Sequence, residues 1–177
     1  MREYLKVLPD FEDIEAEERA SACALAHHDG LAALMFFLDW PRHDLAARLI
    51  VTRHDQWDGQ NWHILPQVAE RLQYEYPLAA TILYRALLDD ILARARSKAY
   101  PHGVKYLKQL DLLAPDTDAD PSRPDDLDRH AVYRAALKQA HARKAGFWGL
   151  IGEDAKGSGR GNGERAVGRR PEWKLVE

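Results

Sequence analysis

Proline interrupts this chain at a steady interval. Leu8-Pro9, Trp40-Pro41, Tyr76-Pro77 and Ala114-Pro115 lie 32, 36 and 38 residues apart. A backbone broken this often must be assembled from short elements, because proline removes a donor and blocks a helix interior. The stretches between the prolines also recur. Leu45-Ala46-Ala47-Arg48-Leu49-Ile50 follows Pro41, and Leu78-Ala79-Ala80-Thr81-Ile82-Leu83 follows Pro77. An aromatic, Trp62 and then Tyr100, opens a second apolar stretch in each unit. Two helical stretches per period predict an all-α superhelical array of about three hairpins, tetratricopeptide-like, plus a final helix. The array is expected over residues 1–151, with a flexible Gly/Arg-containing tail over 152–177.

Local signals give the elements. Asp10 is placed to cap a first helix whose acidic opening complements the dipole, with Phe11, Ile14, Cys23 and Leu25 on its buried face. Gly30 suits a left-handed position ending that helix. The segment from Leu31 to Asp39 is apolar nearly all round and is expected to be buried. Asp44 is read as the cap of a helix to about His54, and Asn61 as the cap of one to about Tyr74. Pro77 opens the strongest helix, through about Ser97. Its Leu78, Ile82, Leu83, Ala86, Leu87, Ile91 and Leu92 keep a helical period. A helix from about His102 to Leu113 follows, then an Asp/Pro-rich loop from Asp116 to Asp126. A last helix is expected from about Asp126 to Ala145, carrying Leu127, Val132, Tyr133, Ala136, Leu137 and Ala140. Gly146 ends it before an apolar plug, Phe147 to Ile151.

Charge and cysteine usage narrow the function classes. The formal net charge of -3 gives no general attraction to nucleic acid or anionic membrane. A single cysteine, Cys23, excludes an intramolecular disulfide and is read as a buried, inert thiol in a reducing compartment. The longest apolar run, Leu31 to Leu38, is too short to span a bilayer. The chain therefore reads as cytoplasmic and bacterial in character, with no membrane partner.

Chemistry-bearing groups are scattered. The run Asp116-Thr117-Asp118-Ala119-Asp120-Pro121 has the alternating aspartates of a calcium loop. It places Pro121 where that loop needs glycine and Leu127 where it needs glutamate, so it reads as a solvated linker. His43 with His54, and His130 with His141, return to one helix face three turns apart, too far to share an ion. Arg85 and Asp89 read as a surface i,i+4 pair. No catalytic residue, cofactor site or metal site is assigned. The distinctive segment is His141-Ala142-Arg143-Lys144-Ala145-Gly146-Phe147-Trp148. Its His141, Arg143, Lys144, Phe147 and Trp148 are the candidate interaction or capping residues.

Three segments carry a resemblance: Leu8 to Ala20, Tyr76 to Leu88, and His141 to Trp148. They resemble an uncharacterised bacterial family known as a domain of unknown function, similar in style to the helical regions that accompany SWIM-type zinc fingers. The resemblance implies a C-terminal portion of a longer protein and supplies no catalytic residues. The chain has no SWIM-type Cys/His ligand set, so zinc and nucleic-acid binding do not carry over. The expected role is a non-catalytic scaffold whose partner is another protein. A nucleic-acid-associated accessory module is the alternative, and an enzyme assembled from distant His and Asp/Glu the third reading.

Overall fold

The computed structural model describes residues 10–156, with side chains over 14–152. The expected burial of Phe11 and the expected tail beyond Lys156 lie outside the described residues. All regular elements among the described residues are helical: α1 (Asp10–Ala26), α2 (Gly30–Asp39), α3 (His43–Thr52), α4 (Leu65–Leu72), α5 (Pro77–Ala93), a 3-10 turn (Ser97–Ala99), α6 (Tyr100–Ala119), α7 (His130–Ala140) and α8 (Ala145–Lys156). None of the described helices is long and apolar enough to cross a membrane.

Helix α5 is the organising element. It packs against α3, α4 and α6, and α6 in turn receives α7 and α8. Leu78, Ile82, Leu83, Leu87, Ile91 and Leu92 are buried, as the helical period predicts, while Ala86 is half-buried. Ala79, Ala80, Thr81, Tyr84, Arg85 and Leu88 are buried as well. Burial therefore wraps almost the whole circumference, as in a helix surrounded by others. The recurrent segments that follow Pro41 and Pro77 are α3 and α5, which pack on each other.

Helix α5 ends earlier than the sequence suggests, and a specific turn ends it. The Ala95 N–H donates to Leu92 O and the Arg96 N–H to Ile91 O, both at 3.1 Å. This is a Schellman closure, and Ala95 occupies its left-handed position at φ 50°. An alanine there carries the Cβ penalty that glycine avoids. Ala95→Gly should accordingly raise unfolding stability by about 1 kcal/mol, measured by urea denaturation; no gain would mean the turn relaxes in the folded protein.

Several boundaries differ from the sequence reading. Gly30 is not left-handed. It is the first residue of α2, and Asp29 caps that helix by accepting from Leu31 N and Ala32 N. Asp44 does not cap α3. It sits in the first turn and takes a two-pronged pair from Arg42, at 3.0 and 2.8 Å. Asn61 contributes its backbone carbonyl, accepting from Ile64 N and Leu65 N, and α4 starts only at Leu65.

The expected loop after Leu113 is helical as far as Ala119, with Pro115 inside the helix. Tertiary anchoring holds that last turn. The buried Thr117 hydroxyl donates to Leu113 O at 2.9 Å and lies 3.1 Å from Thr81 Oγ1 on α5. Asp118 then accepts the His130 N–H at 3.0 Å, so the end of α6 caps the start of α7. Residues 120–129 stay in turns, and α7 is shorter than expected. Of its expected packing residues only Leu137 is buried, and Val132 is 54% exposed. The plug is itself a helix: Gly146 is the second residue of α8, not a stop.

The face of α1 is also more open than expected. Ile14 and Cys23 are exposed and, among the described side chains of α1, only Ala16 is buried, because α1 touches its neighbour α2 lightly. Cys23 is thus a surface thiol rather than a buried one. Met35, on the outer side of α2, reaches solvent too.

Candidate functional site

A groove of about 500 Å³ runs over α5 between two walls. Leu87 and Ile91 of α5 form its apolar floor. One wall is the loop before α4 and α4 itself, presenting Gly59, Trp62, Pro66 and Glu70. The other is the 3-10 turn and α6, presenting Arg96, Ala99, His102, Lys105 and Tyr106.

Local structure explains each wall. Gly59 is buried because the loop lies directly on the α5 backbone; a Cβ there would collide with Ala86 O and lie 2.6 Å from Asp90 Cβ. That close approach sets Trp62 on the lip, where the residue is 65% exposed. The indole meets the His63 ring edge-to-face at 5.9 Å and otherwise stands open beside the apolar floor. On the far wall the left-handed turn at Ala95 brings Arg96 back over the groove. Arg94 Nε and Arg96 Nη1 reach the two oxygens of Asp90 at 2.6 and 3.5 Å. Glu70 and Lys105 bridge the walls at 2.6 Å. Tyr106 stacks on Tyr84 with ring centroids 5.6 Å apart. Burial raises both phenols, so they stay neutral hydroxyls at physiological pH.

Glu70 and Asp90 are both engaged by cations, so neither is a free base beside His102. No group of three or more His, Cys, Asp or Glu among the described residues is arranged to hold a metal ion. What remains is shape, an apolar floor, an exposed indole and a rim of Lys and Arg.

A polar seam joins α5, α6 and α7 elsewhere. Arg85 is not the surface partner of Asp89 expected from the spacing. It is 6% exposed, donates to Asp128 O at 2.7 Å and lies 4.4 Å from the Tyr133 ring centroid. The Tyr133 hydroxyl donates to Asp89 at 2.8 Å. Desolvation raises the Asp89 carboxyl, with Tyr133 and Arg85 pulling the other way. Further along, Asp111 receives His130 Nε2 at 2.7 Å and the Arg134 guanidinium. Desolvation would raise Asp111, but the bonds from Arg134 and His130 outweigh it and hold its carboxyl below the ordinary 3.8. A depressed folded value contributes stability that is present above the ordinary carboxylate value and is lost as pH falls through the folded one. The stability gap between the wild type and Asp111→Asn should therefore close below about pH 3.8, read from denaturation curves at stepped pH; a gap constant down to pH 2 would refute a stabilising role for the Asp111 pairs with His130 and Arg134.

The five residues singled out from the sequence form the α7–α8 corner and do not line the groove. His141 is half-buried, its carbonyl accepts the Trp148 indole N–H at 2.8 Å, and desolvation together with Lys144 lowers its pKa. Arg143 is exposed and Lys144 half-buried. Lys144 O accepts from Phe147 N and Trp148 N, which starts α8. Phe147 is fully buried and meets Tyr100 edge-to-face at 5.6 Å.

Sequence reasoning missed the groove because its lining comes from four separate elements. One signal pointed to it: from Ile91 to Leu110 the chain carries Arg94, Arg96, Lys98, Lys105 and Lys108 and no acidic residue, within a chain of net charge -3. Neither a curated protein nor a solved structure matches the chain. A family model does match, over residues 1–150, and the chain belongs to that family, described as a family of unknown function (DUF6880).

Proposed function

We propose that this chain is a non-catalytic helical scaffold that binds a partner protein through the groove over α5. The observation that carries the reading is Trp62, an exposed indole at the lip of an apolar-floored groove, the type of residue that dominates interface energetics. In this reading α2 to α6 form the recurrent helical framework, tetratricopeptide-like in style, and the α7–α8 corner closes its end through His141, Phe147 and Trp148. In this reading the helical style, similar to that of regions accompanying SWIM-type zinc fingers, would suit a companion role rather than chemistry of its own.

The test is site-specific photo-cross-linking in cells. A benzophenone amino acid at position 62 should yield a discrete protein adduct, and one at Tyr74, 90% exposed and outside the groove, should not. Identical adduct patterns at both positions, or none at 62, would sink the proposal. Trp62→Ala should meanwhile leave stability within about 0.5 kcal/mol of wild type, since the side chain rests largely in solvent.

A further inference from the structure

We infer that the groove takes an acidic polypeptide segment carrying one large apolar anchor, an inference that rests on the groove being the binding site. The floor of Leu87 and Ile91 beside Trp62 suits a buried apolar side chain. The rim decides what flanks that side chain. Asp90 is 9% exposed and covered by two guanidiniums, Arg94 and Arg96, so this cluster presents net positive charge to solvent. Glu70 is matched by a single Lys105, which leaves that bridge neutral. His102 and Lys98 are both exposed on the same wall or next to it, with no acid between Ile91 and Leu110 to offset them. The positive edge is thus local, on a chain that is negative overall, and it borders the apolar floor. A surplus of positive charge on one wall of an apolar pocket selects partners by complementary charge and disfavours like-charged ones. A nucleic acid would meet the same charges, but its phosphates would have no use for the Leu87–Ile91 floor.

A random 12-residue peptide display library, panned on the full chain, tests this. Enriched sequences should carry a large aliphatic or aromatic residue flanked by Asp or Glu. Synthetic versions of them should bind the Lys98→Glu/Lys105→Glu double variant at least roughly tenfold more weakly and Trp62→Ala not measurably. A circular-dichroism melt of each variant checks that its fold is intact. Sequences lost in Trp62→Ala but without acidic bias, or indifferent to the charge reversal, would overturn the inference and leave the groove as a peptide site. Absence of any Trp62-dependent sequence would overturn the groove itself. A single-stranded oligo-dT that displaces the enriched peptides and loses binding in the double variant would overturn the inference in favour of nucleic acid.

Discussion

Phe147→Ala is expected to lower unfolding stability by about 3–5 kcal/mol, the range for a fully buried aromatic. The ring has no solvent exposure and meets Tyr100 edge-to-face. It also fills the space that Gly103 leaves on α6: a Cβ at Gly103 would come within 3.1 Å of Phe147 Cε2, 3.3 Å of Leu88 and 3.5 Å of Ile91. Among the residues of α8 with described side chains, Phe147 is the only one in the buried core. That helix also contains Gly149 and Gly152, each of which disfavours helix by about 1 kcal/mol relative to alanine. Without its anchor α8 should come off α6 and uncover Leu88 and Ile91 to water. Trp148→Ala should cost less, about 1–2 kcal/mol, for a half-buried ring with one hydrogen bond to a carbonyl. Urea denaturation of both variants checks the ranking. If Phe147→Ala kept full stability and instead lost a partner, the α7–α8 corner would be a binding hot spot rather than a cap.

The sequence carries the helical class and the identity of the central helix plainly, because both depend on periodicity within a single stretch. Leu78 to Leu92 repeats with the helical period whatever surrounds it, and Pro77 marks its first residue. What local reasoning cannot reach is any feature held by two elements at once. The last turn of α6 runs past Pro115, and on it Thr117 meets Thr81, 36 residues away. Asp118 looks like one aspartate in a solvated linker until its carboxylate is found on His130 N, 12 residues on. Arg85 and Asp89 have ideal spacing for a surface pair, yet Tyr133 from α7 inserts beside both and redirects each. The plug after Gly146 misreads for the same reason: two glycines and a short apolar run look irregular, but burial of Phe147 against Tyr100 repays the helical cost. The groove falls in this class. Its floor is legible as core, while the lip residue Trp62 reads as just another aromatic opening a helix until Gly59 is seen pressed on α5.

That contact yields the second large effect. Gly59→Ala should destabilise by about 3 kcal/mol, at the upper end for inserting a single methyl into a packed site. The added carbon would collide with the carbonyl oxygen of Ala86 and stand 2.9 Å from its carbonyl carbon and 2.6 Å from Asp90 Cβ. Two of these three atoms belong to backbone in the middle of α5, which α3, α4 and α6 hold on several sides, so the helix cannot yield. The loop must move instead. Trp62 and the wall formed by Pro66 then shift away from the floor, and Asp90 loses its seat beneath Arg94 and Arg96. Gly149→Ala is the matched control: a Cβ there meets nothing within 4 Å, so alanine should stabilise α8 by about 0.5–1 kcal/mol through helix propensity alone. Chemical denaturation of the two variants separates steric cost from propensity. The photo-cross-link from position 62 adds the functional half, since a displaced loop should abolish the adduct even in the fraction of Gly59→Ala that remains folded. A stable Gly59→Ala with an unchanged adduct would mean that the loop does not rest on α5, and the groove would lose the wall that makes it a site.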